Sequence, residues 1–225
     1  MSIKKIADSV GVSPATVSRV LNNPDYHCSS PELRDKIWNT AMQMNYVPNE
    51  AASSAVEYLI ELGHENIGYV GSCHNEARYQ GYLETLQANG LDVDSNFIIE
   101  TKQTEMEGFE AMEKFSNSEK CPTGIYCSND ITAIGMLKYL NKHKNRYYMP
   151  SIISSDGIEE AMYTTPMLTT IQVSKEEMGK FALYLLVDRL RGGHRGKVKI
   201  ELECRLMKRE SCTSVDESRW CEYYI

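Results

Sequence analysis

No run in this 225-residue chain is apolar for long enough to cross a membrane, and its first residues lack the apolar core of a signal peptide. The expected compartment is therefore the cytoplasm, with no membrane contact. The seven cysteines, at positions 28, 73, 121, 127, 204, 212 and 221, never fall as C-x-x-C. Reduced thiols are the expectation. A looser set of Cys204, Cys212 and Cys221 with His194 lacks the spacing of a zinc site, so no metal is expected. Also missing are the phosphate-cradling G-x-G-x-x-G and G-x-x-x-x-G-K-[ST] motifs and the nucleophile elbow G-x-S-x-G. Gly192-Gly193-His194-Arg195-Gly196 follows a helix rather than opening one, which suits a C-cap loop. His64, His74 and His143 are scattered, and nothing assembles a nucleophile, a base and an orienting group. No catalytic residue or cofactor is expected, and the chain is not read as an enzyme. Excess positive charge is missing too: the net charge is −7. Residues 1–50 balance acids against bases, so the deficit lies in the rest of the chain. Phosphate attraction by one copy must be weak, because such affinity scales with the number of phosphates neutralised.

What is present starts at the N-terminus. Ile3, Ile6, Ala7 and Val10 recur at helical spacing, and Gly11 supplies the freedom that a helix end and a tight turn need. Ser13 can cap a second helix that Pro14 opens. Val17, Val20 and Leu21 fall on one side of it. Ala15, Ser18, Arg19 and Asn22 fall on the other, giving a small, polar, basic stripe. A helix with that stripe can approach a DNA groove closely, and an arginine there can reach guanine O6 and N7 with two hydrogen bonds. The plainer alternative is a helical hairpin with a solvated face. Ser30 and Pro31 open a third helix with Leu33, Ile37, Ala41 and Met44 inward; Tyr46-Val47-Pro48-Asn49 ends it.

At this point the chain resembles the DNA-binding head of the lactose-repressor (LacI/GalR) family. The resemblance rests on I-K-K-I-A-D-S-V-G-V-S-P-A-T-V-S-R-V-L-N, then L-R-D-K-I, then N-Y-V-P-N. By position it implies that Pro14, Ala15 and Arg19 read bases, while Ser2, Ser13, Thr16, Ser18 and Asn22 contact phosphates. Hydroxyls and helix-start amides suit phosphate oxygens. It implies a homodimer on a palindromic double-stranded operator, since two half-sites offset the weak attraction of one head. The loop Asn23 to Ser29 is unassigned.

From Val56 onward, short buried-type strands alternate with helices. The strands are expected over 67–70, 97–101, 125–128, 152–155 and 168–173. The helices are expected over 76–89, 105–115, from 131, and 174–191, after a first stripe of Val56, Leu59 and Ile60 that Gly63 ends. Alternation of this kind makes a parallel sheet covered on both faces. In the last helix Met178, Ala182, Leu185 and Leu186 are expected inward. Val198, Ile200, Leu202, Cys204 and Leu206 alternate with charges, as in a half-exposed edge strand.

This body also resembles the family, in the C-terminal lobe of its periplasmic-binding-protein-like sensor. The phrases are Y-L-I-E-L-G-H-E-N-I-G-Y-V-G, R-Y-Q-G-Y, S-N-D-I-T-A-I-G, T-T-P-M-L-T-T-I and K-R-E-S-C. The resemblance implies that Arg78, Asn129 and Asp156 bind a small effector such as a sugar, just past strand ends. Helix capping would also explain Asn129 and Asp156. The expected fold is thus an all-α helix-turn-helix head plus an α/β, Rossmann-like lobe with a mostly parallel sheet.

The resemblance breaks between the two parts. Pro48-Asn49 and Tyr58-Leu59 are nearly adjacent where the family inserts most of a sensor lobe, on the order of a domain's length. The expected parts are a head at 1–49, a shortened junction at 50–57, a partial sensor domain at 58–213 and an unassigned tail at 214–225. Within the junction the family's hinge arginine is Ser53, and its minor-groove leucine is Ala55, whose methyl is too small to pry open a base step. The effector cleft should then be half a site, and the helix 174–191 should lack its usual cover. Two functions compete: a shortened DNA-binding repressor with impaired sensing, and a vestigial or dominant-negative fragment that pairs with relatives.

Overall fold

The structure is a computed structural model; it describes residues 3–22, 26, 28, 30–43, 50–74, 76–143 and 148–215. The head is built from α1 (Ile3–Val10), α2 (Pro14–Asn22) and α3 (Pro31–Gln43). The expected local signals operate. Gly11 turns the chain at φ +82°, the Ser13 hydroxyl accepts from Thr16 N at 3.1 Å, and the Ser30 hydroxyl accepts from Leu33 N at 3.1 Å. The apolar stripes of the three helices meet in one core of Ile3, Ile6, Ala7, Val10, Val17, Val20, Leu21, Ile37 and Ala41. Ser2, Asn23, Met44 and the 46–49 stop lie outside the described residues, as does the tail from 216.

The body opens with α4 (Glu50–Glu61) and continues through β1 (Ile67–Gly71), α5 (Ala77–Ala88), β2 (Ile98–Glu100), α6 (Glu105–Ser116) and β3 (Gly124–Cys127). It ends with α7 (Asp130–His143), β4 (Ser151–Asp156), β5 (Thr169–Val173), α8 (Lys175–Leu190) and β6 (Cys204–Met207). The strands form one sheet in the order β2-β1-β3-β4-β5-β6, parallel except for the antiparallel β5–β6 edge.

Strand alternation sorts the core into two layers. Val70, Ile125, Cys127 and Ile152 point to one face, under Ala111, Met112 and Phe115 of α6 and Ile134 and Leu137 of α7. Tyr69, Tyr126, Ile153 and Ile171 point to the other, under Ala52, Ala55, Val56 and Leu59 of α4 and Tyr82 and Leu86 of α5.

The structure differs from expectation in four places. The 50–57 junction is helical throughout, where the expected helical stripe began only at Val56: α4 begins at Glu50, because E-A-A-S-S-A-V is a run of small helix-tolerant residues whose face packs on the sheet. Ala55, expected at a minor-groove position, is fully buried in that layer. Helix α8 turns none of its apolar residues into the core; Met178 is 50% and Leu186 56% exposed. Its flanking strand is shorter than expected as well, with only 204–207 paired to β5.

Candidate functional site

Two sites can be built from the expected residues. On the head, Ser13 and Thr16 lie side by side at the start of α2, hydroxyl to hydroxyl at 2.8 Å. Pro14 and Ala15 are half-buried and Arg19 is exposed. The polar stripe of α2 does not face open solvent throughout. Helix α2 packs against α5 of the body. Ser18 is only 3% exposed, and Arg19 donates from Nη2 to the Ala88 carbonyl at 3.2 Å. Asn22 closes the helix.

On the body, the strand ends bring two of the three expected effector residues into contact. Arg78 stands in the first turn of α5, with Glu76 capping that helix. It donates from Nη2 to Asp156 Oδ1 at 2.8 Å and from Nη1 to the Ser128 carbonyl at 2.8 Å. Asp156 closes β4 with φ +115°, in the region where an L side chain is strained. Burial pushes its carboxyl above the usual aspartate range; nearby Asp130 adds to this, against the pull of Arg78 and Lys175. Asn129 sits one residue beyond Ser128. Its Oδ1 accepts from Thr132 N at 2.9 Å, so it caps α7, and its Nδ2 donates to the Gln103 carbonyl at 3.2 Å. Capping thus accounts for part of Asn129's role, whereas Asp156 caps no helix and is engaged with Arg78.

The chemistry at this sheet end is an arginine, an amide and a carboxylate of raised pKa. It offers donors and acceptors suited to hydroxyls or a heterocycle edge. An adjoining groove of about 490 Å³ is lined by Ser72, Glu100, Thr101, Lys102, Gln103 and Glu107. Sequence reasoning missed Gln103, whose φ of +64° turns its carbonyl toward Asn129. It also missed Asp130, which is fully buried. The Asp130 carboxylate accepts from Ser154 Oγ, Thr170 Oγ1 (2.6 Å) and Ile158 N (2.7 Å), clamping the ends of β4 and β5. The position of Asp130 in the S-N-D phrase was the available signal. Among the described residues no group of three or more His, Cys, Asp or Glu side chains is placed to hold a metal, and the described cysteines are free thiols. Nor, among them, is any helix long and apolar enough to cross a membrane.

Comparison with known proteins bears on both sites. Residues 2–49 match the model of bacterial regulatory proteins of the lacI family, and residues 56–212 match the periplasmic binding protein-like domain. The chain belongs to the LacI family. The repressor CytR of Escherichia coli K12 is 33% identical over 72% of this LacI-family chain, which covers 49% of CytR. The repressor PurR of Pasteurella multocida is 29% identical over 73% of it, with 51% of PurR covered. The chain therefore spans about half the length of these relatives. The lac repressor dimer, solved bound to operator and an anti-inducer, superposes with a TM-score of 0.65 at 16% identity, over 95% of this chain and 99% of that one. That likeness speaks to the fold: a helical head followed by a mostly parallel α/β sheet.

Proposed function

We propose that this LacI-family chain is a sequence-specific DNA-binding transcriptional repressor that works in the cytoplasm as a homodimer on a palindromic operator. The observation that carries this reading is α2 itself. It is a capped helix with its apolar side sealed in the head core, carrying Arg19 among small polar neighbours. The repressor names of the relatives support it. Arg19, Pro14 and Ala15 are the base readers, and Ser2, Ser13, Thr16, Ser18 and Asn22 hold phosphates; Ala55, on the buried face of α4, adds nothing to a groove. Effector sensing is impaired, because Arg78 and Asp156 already pair with each other, while Asn129 is held by Thr132 N and the Gln103 carbonyl.

The test is a gel shift with a duplex selected from a random-sequence pool by the chain itself, repeated at several salt concentrations. The expected result is a shift that weakens steeply with salt and is lost or reduced roughly 10- to 100-fold by Arg19→Ala. Absence of any shift at low salt favours the second reading, a fragment that pairs with longer relatives. The bare apolar surface of α8 is what supports that alternative.

A further inference from the structure

We infer that the body holds the head in a DNA-silent state, with the carboxyl half of α5 docked against the base-reading side of α2. Two contacts and one buried side chain carry the inference. Arg19 Nη2 donates to the Ala88 carbonyl at 3.2 Å. Ser18 is 3% exposed although it lies away from Val17, Val20 and Leu21, the residues that fill the head's own core. Ile3 N donates to Glu84 Oε1 at 3.0 Å, so a first-turn amide of α1 is satisfied by the body. Helix N-termini leave such amides without intrahelical partners, and a carboxylate there also meets the positive end of the helix dipole.

Docking and DNA reading exclude each other. The Arg19 guanidinium cannot lie on a guanine edge while it points at the α5 carbonyl. A duplex cannot lie along the side of α2 against which α5 packs. The head must therefore swing off α5 before it binds, and the observed affinity is the intrinsic one reduced by the fraction of molecules released. Glu84 lies on the body side of the contact and outside the stripe that reads DNA, so it tests docking without touching the reading face. This inference rests on the proposed reading of the chain as a DNA binder.

The experiment uses the full chain as wild type, Glu84→Ala and Glu84→Gln. Glutamine keeps an oxygen that accepts from Ile3 N and controls for folding. Amide hydrogen exchange at Ile3, followed by NMR without DNA, reports docking; fluorescence anisotropy with the selected duplex reports affinity. The expected result is a protected Ile3 amide in wild type and Glu84→Gln. Protection should be lost in Glu84→Ala, together with a rise in affinity of roughly ten- to a hundredfold, the scale of one charge-assisted hydrogen bond. Fast Ile3 exchange in wild type, or equal duplex affinity in wild type and Glu84→Ala, overturns the inference and leaves the repressor reading standing. Failure of all three chains to bind any duplex overturns both.

Discussion

At the scale of single residues, Gly108 and Gly135 fix how closely α6 and α7 approach. A Cβ built on Gly108 would lie 2.0 Å from the Thr132 carbonyl oxygen, and one on Gly135 would lie 1.9 Å from that of Glu105. Both obstacles are backbone, so relief requires the helices to part. Gly108→Ala and Gly135→Ala should each cost about 1–3 kcal/mol or more, seen as a lower urea midpoint with little change in slope. A neutral result would contradict the observed packing. His64 sets a pH dependence. It is buried, its Nδ1 lies 3.1 Å from Thr123 Oγ1 and its Nε2 lies 3.0 Å from the Thr213 carbonyl; burial lowers its pKa against the pull of that carbonyl. With the folded pKa below the unfolded one, the unfolded chain takes up a proton first as pH falls through about 6.5. Stability from this group is thus complete above that pH and declines below it, by at most about 1.4 kcal/mol per pH unit. Thermal melts from pH 7 to 5 should show the decline, and His64→Gln should flatten it. Neither glycine nor this histidine could be singled out from sequence, since their roles arise from elements far apart in the chain.

At the scale of elements, α8 stands out as a helix with apolar residues on every side and none buried. Leu183, Tyr184, Leu186 and Leu190 are 58%, 65%, 56% and 78% exposed. A helix that apolar is normally enclosed, and bare patches of this kind drive self-association. Replacing Leu183, Leu186 and Leu190 together by Gln should reduce self-association in sedimentation velocity. It should leave the melting temperature nearly unchanged, because exposed positions carry little packing energy. Unfolding of the triple variant would show that α8 is covered. The existence and order of strands and helices were legible because apolar period and cap residues agree, as at Ser13 and Ser30. The extent of α4 was not. Its first residues are small and weakly apolar, and only the sheet beneath them reveals that they are core.

For the whole molecule, the proposed repressor pairs a helical head with a body whose effector residues Arg78 and Asp156 already bind each other. Isothermal calorimetry with a panel of sugars and purines should detect no micromolar binding. A micromolar ligand lost on Asp156→Asn would contradict impaired sensing. The three proposed effector residues were readable as residue types, yet the closed Arg78–Asp156 pair was not, because it joins α5 to β4 across 78 positions of sequence. Likewise the helical face of α2 was legible, while its contact with α5 depends on how two separately cored parts meet. The central claim is that α2 reads base edges. Hydroxyl-radical footprinting of the full chain on its selected duplex, with a scrambled duplex as competitor, tests it most directly. Two protected half-sites about one helical turn apart are expected, with a preference for the palindrome of at least about a thousandfold. Uniform protection, or equal affinity for both duplexes, would contradict it.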